Sequence, residues 1–167
     1  MKQAVDRQEV RLAGVALGRA RHICALFHDR DEWYDVLLPF IREGMPLGDK
    51  AFHIIDGGRR AEHLERLTRG GIDIEAAERR GQLEVKGWLE IKGWDEAYLR
   101  GGRFDQDAML AFLEAALKRG NADGFRRTRL IAEMEWALLD LPGVVGDLLE
   151  YEARLNYILP RCDDAVT

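Results

Sequence analysis

Short blocks of apolar residues separated by polar stretches predict a chain in which strands and helices alternate. Some blocks are continuous or alternating apolar runs bounded by turn residues, which is typical of buried strands. In others, apolar residues recur three and four positions apart, which is typical of the buried face of a helix. The predicted strands are 22–27, 50–56, 82–86 and 128–136, and the predicted helices fall within 29–50, 59–71, 72–81, 104–120 and 146–160.

Cap and breaker residues set the expected ends of two of these helices. Asp31 is the expected N-cap of the first helix. Pro39 predicts a kink or an early break there, because proline lacks the N–H that a helix interior needs. Asp105 is the expected N-cap of the fourth helix, and Gly120 is expected to end it.

The alternation predicts an α/β fold of three layers, with a mostly parallel central sheet flanked by helices on both faces. We expect residues 1–20 to form an N-terminal arm or an extra strand, and residues 21–167 to form a single domain. In such sheets ligands bind beyond the carboxyl ends of the strands. The expected site is therefore the set of loops that follow residues 27, 56, 86 and 133.

Composition argues against nucleic acid and membranes as partners. The 167 residues carry a formal charge of −5 and scattered basic residues, whereas phosphate binding needs clustered Lys and Arg. The densest basic run, 125–129, leads into a predicted strand, so we interpret it as a strand entry. The apolar runs are too short to span a bilayer and the N-terminus lacks a signal-peptide core, which favours a cytoplasmic protein. The two cysteines, Cys24 and Cys162, are then expected to be free thiols.

Common catalytic motifs are absent from the sequence. It has no GK[ST] phosphate loop and no GxGxxG, and the segment after the first predicted strand contains no glycine. It also lacks GxSxG, CxxC and HExxH. We therefore predict neither a catalytic residue nor a cofactor.

Four blocks of sequence resemble a known family. The chain carries RHICALFHDRDEWYDVLLPFIREG, RGGRFDQDAML, EMEWALLDLPG and LLEYEARLN in this order, over roughly residues 20–160. In these blocks it resembles the MEDS domain, the methanogen/methylotroph DcmR sensory domain, and the series EMxWAL, PG, YExxLN is the most specific part. The resemblance implies a RecA/KaiC-like fold that has lost its phosphate loop, in agreement with the missing GK[ST].

The same resemblance implies a sensor rather than a catalyst. MEDS domains are sensory modules of transcriptional regulators and signalling kinases, and they are proposed to detect small hydrocarbon derivatives, including halogenated one-carbon compounds. Output would then pass through a partner regulator or kinase module. The family pattern places a further strand after the last helix, and the short tail CDDAV predicts a C-terminally truncated form.

A tandem repeat departs from the family pattern. The segment LEVKGWLEIKGW at 83–94 repeats a unit that the family carries once. We interpret it as a local duplication that lengthens a loop or an edge. The alternative is a hairpin turning at Gly87 and Trp88, whose unpaired edge would support a homodimer.

The segment 22–29 combines residue types that suit metal or thiol chemistry. His22, Cys24 and His28 would suit zinc, but along one extended strand they spread over about 20 Å, too far for one ion. We therefore predict no metal and keep this trio as the alternative. We expect His22 to be a hydrogen-bonded structural residue and Cys24 a small buried hydrophobe. His28 and Asp29 begin a ligand loop, and a small site joining His28 with Asp29 or His53 stays open.

Glu133 and Glu135 lie at the end of the last predicted strand. Carboxylates there can bind a cation, accept a ligand hydrogen bond, or act as acid and base. The alternative is a buried structural glutamate paired with Arg127 or Arg129.

Aromatic residues near the same edge are candidate walls for an apolar pocket, although ordinary packing is the alternative for each. The full predicted ligand-binding set is His28, Asp29, Asp56, Tyr98, Phe104, Glu133, Glu135 and Trp136.

The sequence thus predicts a non-catalytic sensory domain that binds a small, largely apolar metabolite. One alternative is a degenerate nucleotide-binding protein or hydrolase that uses Glu133 and Glu135. The other is a pure assembly module. Expected partners are the small molecule and a regulator or kinase module, without direct contact to nucleic acid or membrane, and a homodimer stays open.

Overall fold

A computed structural model describes residues 10–17, 22–87, 104–138, 143–162 and 165–166. The chain begins with an antiparallel hairpin of β1 (Val10–Leu12) and β2 (Val15–Leu17). Ala13 and Gly14 form its turn with φ of 48° and 76°. Two-residue hairpin turns with positive φ at both positions match the natural twist of the strands. The extra strand expected at the N-terminus is therefore a hairpin.

In the described ranges, four parallel strands form the central sheet. They are β3 (Lys50–Ile55), β4 (Leu83–Gly87), β5 (Thr128–Ala132) and β6 (Ala165–Val166), in the spatial order β4-β3-β5-β6. All six residues of β3 are buried, as expected for the strand that has helices on both faces.

Five helices of the described part of the chain cover this sheet. They are α1 (Arg30–Gly44), α2 (Arg60–Arg69), α3 (Ile74–Arg79), α4 (Gln106–Ala122) and α5 (Val144–Ile158). Short 3₁₀ turns lie at Met45–Leu47, Gly57–Arg59, Glu135–Leu138 and Leu159–Arg161. Among the described residues, no helix has the length and apolar character needed to cross a bilayer.

Alternate residues of β3 enter two separate cores. Phe52 and Ile54 pack into one core with residues of α4 and α5. Ala51 and Ile55 pack into the other with residues of α1, α2 and β4. Side chains of a strand alternate between its two faces, so these two cores are the two faces of the sheet. The predicted three-layer α/β architecture is confirmed.

The prediction of a first buried strand at 22–27 is wrong. This segment has no regular secondary structure, and Leu26 is 95% exposed. Cys24 is also exposed, so it is not the buried hydrophobe that the apolar run suggested. The ring of His22 lies next to α5, and in the described part of the sheet the outer edge of β5 pairs with β6. The apolar run alone could not distinguish these arrangements.

The first helix begins before the predicted N-cap and continues past Pro39. Asp29, rather than Asp31, is the N-cap, and its carboxylate accepts a hydrogen bond from the amide of Glu32. The helix also runs through Pro39 to Gly44 without the expected early break. The loss of one backbone hydrogen bond at proline is offset by the burial of the apolar face of α1.

Two other boundaries are also corrected. Gly120 does not end α4, which continues to Ala122. Instead, a Cβ at Gly120 would lie 2.2 Å from Oγ1 of Thr128, so the glycine permits the close approach of α4 to β5. The strand predicted at 128–136 ends at Ala132.

The chain also contains a strand after its last helix. The short tail had predicted that this strand of the family pattern was missing. Instead, Ala165 and Val166 pair in parallel with Thr128 and Arg129.

Candidate ligand site at the carboxyl edge of the sheet

Glu133 joins the ends of the two central strands. Its amide donates to the carbonyl of Ile54 at 2.9 Å, which extends the pairing of β3 and β5 by one residue. Its Oε2 accepts from the amide of Asp56 at 3.1 Å. The glutamate that follows β5 is therefore fixed to the residue that follows β3, at the edge where parallel sheets bind ligands.

Two arginines complete a charged group around this glutamate. Arg30, the first residue of α1, places Nη1 3.2 Å from Glu133 Oε1 and Nη2 2.6 Å from Glu135 Oε1. Arg59 lies 3.3 Å from Glu135 and 3.5 Å from Asp56. We call these five residues (Arg30, Asp56, Arg59, Glu133 and Glu135) the edge cluster.

The edge cluster is graded from buried to exposed. The side chain of Glu133 is 5% exposed, that of Arg30 26% and that of Glu135 42%. Burial raises the pKa of Glu133, and nearby Glu135 adds to the rise, whereas the Asp56 amide and Arg30 oppose it. The cluster thus combines a buried carboxylate whose pKa is raised with an arginine that bridges two glutamates and that solvent can reach. Such a pair can exchange one hydrogen-bond partner for a ligand group.

The structure corrects the partner expected for Glu133. Arg127 and Arg129 had been considered, but the salt bridge is made by Arg30. Arg129 lies on β5, where its Nε contacts Asp49 Oδ2 at 2.8 Å, at the amino end of the sheet.

His28 and Asp29 form the N-terminal cap of α1. Asp29 accepts from the Glu32 amide, and the Glu32 carboxylate accepts from the His28 amide at 2.6 Å. This reciprocal arrangement resembles a capping box, except that the Glu32 carboxylate accepts from the amide one residue before the N-cap. It places Arg30 directly at the helix start, so the loop positions the arginine of the edge cluster.

The remaining predicted residues lie in different surroundings. Phe104 is buried against Tyr151, with ring centroids 5.2 Å apart, in the core formed by α4 and α5. The backbone of Trp136 belongs to the 3₁₀ turn that follows Glu133, and its side chain lies outside the description. Tyr98 and most of the repeat at 83–94 lie outside the described residues.

The alternative metal site at His22, Cys24 and His28 finds no support. His22 instead contacts Glu152 at 2.9 Å and Asn156 at 3.2 Å, both on α5, which agrees with its expected structural role. In the described parts of the chain, no three His, Cys, Asp or Glu side chains converge as metal ligands would.

A buried chain of three polar side chains lies beneath the edge cluster and was not predicted. The Tyr34 hydroxyl is 2.9 Å from His63 Nδ1, and His63 Nε2 is 2.9 Å from His53 Nδ1. The three residues come from α1, α2 and β3. His53 is 0% exposed and His63 1%. We call this set the Tyr–His–His chain.

Electrostatics keep both imidazoles of this chain neutral. Burial lowers the pKa of His53 well below its ordinary value, and the neighbouring His63 lowers it further. Burial, with Arg30 nearby, lowers the pKa of His63 to about 4. Burial raises the pKa of Tyr34 to about 12, and the charge of Glu133 adds to the rise. Arg30 and Glu133 therefore couple the edge cluster to the Tyr–His–His chain.

Aromatic packing encloses the chain on its outer side. The Trp33 ring lies 4.6 Å from the Tyr34 ring and 5.8 Å from the His63 ring, both edge-on. The Arg66 guanidinium lies 4.6 Å from the centroid of the Tyr34 ring. These contacts fix the tyrosine and the outer imidazole in place.

One sequence signal could have identified this chain. His53 is a polar residue in the middle of the apolar run AFHII, and such a residue needs a partner when buried. His63 precedes the buried Leu67 by four positions, so both lie on the inner face of α2. What the sequence could not show is that β3 and α2 bring the two imidazoles into contact.

Comparison with known proteins identifies the family of the chain. The family model described as MEthanogen/methylotroph, DcmR Sensory domain (MEDS) matches residues 21–166. The chain belongs to the MEDS family. The MEDS resemblance inferred from sequence blocks is therefore confirmed.

One curated relative has a named role. The MEDS chain is 26% identical over 151 residues to the transcriptional repressor DcmR of Methylorubrum extorquens (strain DSM 6343 / CIP 106787 / DM4). The aligned region covers 90% of this chain and 51% of the repressor, so the chain spans about half the length of that relative. No solved structure matches the chain significantly. The family and the relative support a sensory or regulatory role.

Proposed function

We propose that this MEDS chain is the small-molecule-binding unit of a transcription-regulatory system, with its ligand at the carboxyl edge of the sheet. The observation that carries the proposal is the edge cluster. Glu133 and Arg30 tie the ends of β3 and β5 to the start of α1, at the position where parallel sheets bind ligands. The buried Tyr–His–His chain beneath it supplies the few placed polar groups that a largely apolar pocket needs.

The same contacts suggest how binding would be transmitted. Arg30 is the first residue of α1, and its guanidinium holds Glu133 and Glu135. A ligand that takes one of these contacts would release or reposition the start of α1. A ligand shifts such an equilibrium only if it binds the two arrangements with different affinity. The altered position of α1 would then change the surface offered to a regulator or kinase module.

A thermal-shift screen tests the proposal. The panel contains chlorinated one-carbon compounds, short alcohols, ketones and thioethers. At least one class should raise the unfolding temperature in a saturable way. Glu133→Gln should weaken that binding about tenfold, because a hydrogen bond to a charged group is worth about 1.5–3 kcal/mol. Glu75→Gln is the matched control, because the Glu75 side chain is 83% exposed on α3.

Two results would contradict the proposal. No response to any compound, with the protein folded, would favour an assembly module. Saturable binding of ATP with Mg²⁺ that Glu133→Gln abolishes would favour the nucleotide-binding alternative.

A further inference from the structure

The Tyr–His–His chain ends at an atom without a partner. One hydrogen bond joins the Tyr34 hydroxyl to His63 Nδ1, and a second joins His63 Nε2 to His53 Nδ1. The remaining atom, His53 Nε2, is fully buried and has no hydrogen-bond partner among the described residues. Leaving a buried polar atom unpaired costs about 1–3 kcal/mol, so native proteins rarely do it without a reason.

A second unpartnered atom provides a useful contrast. Oδ1 of Asp49 also lacks a hydrogen bond within the described residues. However, the other oxygen of this carboxylate lies 2.8 Å from Arg129 and 3.8 Å from Arg127, so the charge of the group is compensated. His53 has no such compensation at its free nitrogen. The unpaired Nε2 of His53 therefore requires a hydrogen-bond partner from outside the described residues.

We propose that His53 Nε2 is the anchor for the polar group of a small neutral ligand. This inference rests on the proposed function and specifies the chemistry of its ligand. The ligand class is a short aliphatic molecule that carries one hydroxyl or carbonyl group.

The surroundings of His53 determine this class. In the sheet, Val85 and Ile131 are its neighbours on either side. Ala51 and Ile55 precede and follow it on the same face of β3. A single polar atom among aliphatic side chains suits a mostly apolar molecule with one hydrogen-bonding group. A charged ligand would be buried without a counter-ion in contact, which costs far more than a neutral one.

The anchor connects to the edge cluster through the hydrogen bonds of the chain. If Tyr34 donates to His63, then His63 donates to His53, and His53 Nε2 carries the proton and is a donor. If the order is reversed, His53 Nε2 is an acceptor. A carbonyl ligand accepts and would select the first order, whereas a hydroxyl can serve either. The ligand would thus set the direction of hydrogen bonds that reach Tyr34 on α1.

Nitrogen NMR of the full chain with ¹⁵N-labelled histidine tests the anchor directly. The probes are acetone, 2-propanol and 2-chloropropane, which are similar in size. Acetone should shift the His53 Nε2 resonance in a saturable way toward a protonated, hydrogen-bonded nitrogen. 2-Propanol should also shift it, and 2-chloropropane should affect it least. The ring of His22 contacts Glu152 and Asn156 on α5, and its resonances should not move.

Variants supply a second readout. His53→Leu should weaken acetone binding about tenfold, the equivalent of one lost hydrogen bond, while 2-chloropropane binding stays within about twofold. His22→Gln is the matched control, because its ring contacts Glu152 and Asn156 on α5, and it should change neither. If His53→Leu fails to fold, the wild-type NMR titration still decides the question.

The outcomes separate this inference from the proposed function. If backbone amides of the edge cluster respond to acetone while the His53 resonance stays fixed, the anchor is wrong and the proposed function stands. A His53 Nε2 resonance already hydrogen-bonded without any probe, and unmoved by all three, indicates a structural water and overturns the anchor. Absence of any response to these probes, together with a negative screen, overturns both.

Discussion

The two ends of the sheet carry polar groups that differ in burial and charge. At the amino end, Arg129 is 1% exposed, contacts Asp49 and donates to the backbone carbonyl of Phe40. Lys50 is also buried there and pairs with Glu84 at 2.9 Å. Arg129 and Lys50 are thus buried and held in ion pairs. At the carboxyl end, the edge cluster is partly open to solvent and lies above a neutral buried chain with one free nitrogen.

This difference suggests that the amino-end group stabilises the fold and that the carboxyl-end group binds the ligand. A buried ion pair is costly to desolvate, and removing one partner leaves an uncompensated charge. The amino-end group therefore fixes α1 against β5, because Phe40 belongs to α1 and Arg129 to β5. The carboxyl-end group can exchange partners with solvent or a ligand at lower cost. We expect substitutions at the first end to affect stability and substitutions at the second to affect binding.

The largest effect is expected from Arg129→Met. It leaves Asp49, which is 1% exposed, without its closest counter-ion. The free energy of unfolding should fall by about 3–5 kcal/mol, measured by urea denaturation. Arg79→Met, on the exposed pair with Glu75, should change it by no more than about 0.5 kcal/mol.

A double substitution sharpens this prediction. Replacing Asp49 and Arg129 together by leucine removes both charges, and it should recover part of the loss caused by Arg129→Met. A loss below about 1 kcal/mol for Arg129→Met would show that the amino-end group does not hold the fold.

Acid should destabilise the protein through the Tyr–His–His chain. The pKa of His63 falls to about 4 in the folded state and that of His53 is also lowered, whereas both lie near 6.5 when unfolded. The unfolded state therefore binds more protons below pH ~6.5. The stabilising contribution is complete above this pH and is lost as the pH falls toward about 4 for His63. The slope should approach 1.4 kcal/mol per pH unit for each histidine, at about one proton each.

Substitution of single histidines separates this effect from the titration of carboxylates. His63→Gln should reduce the slope between about pH 6.5 and 5 by roughly half. His22 behaves in the opposite way, because its hydrogen bond to Glu152 raises its pKa. Its contribution is complete below about pH 6.5 and is lost as the pH rises through that raised value, so His22→Gln should change the pH dependence above about pH 6.5 and leave the slope between about pH 6.5 and 5 unchanged. An unchanged profile in His63→Gln would contradict the neutral buried chain.

Close packing at the amino end predicts a smaller effect for Gly120→Ala. The added Cβ would lie 2.2 Å from Oγ1 of Thr128, so either the Thr128 side chain or α4 must shift. We expect a loss of about 1–3 kcal/mol in thermal unfolding. Gly146→Ala in α5 is the matched control, because nothing lies within 4 Å of its new Cβ. Helix propensity should make it stabilising by up to about 1 kcal/mol, and equal effects at both glycines would contradict the argument.

The smallest effect on stability is expected from Glu133→Gln. The amide side chain retains an oxygen for the Asp56 N–H and loses the charge that faces Arg30, which keeps its contact with Glu135. We expect a loss of about 1 kcal/mol in urea denaturation. A loss comparable to that of Arg129→Met would show that the charged group at the carboxyl end stabilises the fold as much as the one at the amino end.

Sequence reasoning located most elements and the edge, but not the contacts that form the site. The run at 50–56 is apolar and 82–86 alternates, so local pattern was enough to predict β3 and β4. The equally apolar run at 22–27 was misassigned. In the described sheet, the outer edge of β5 pairs with residues 165–166 instead, and the apolar run carries no information about that choice.

The pairing of charged residues was beyond sequence reasoning for the same reason. Arg30 meets Glu133 across 103 positions of the chain, and His53 meets His63 only because α2 folds back over β3. The carboxyl-edge rule predicted the place of Glu133 and Asp56 but not the arginine between them. Long-range contacts of this kind depend on the packing of whole elements.

Amide chemical-shift mapping with the best compound from the screen tests the central claim most directly. We expect saturable shifts of the amides of Arg30, Asp56, Gly58 and Glu133. The amides of Asp49, Lys50 and Arg129, at the other end of the sheet, should not change. The amide of Gly58 is informative because it donates to the Asp56 carboxylate at 3.0 Å. Shifts confined to the amino end, or spread equally over both ends, would contradict a ligand site at the carboxyl edge.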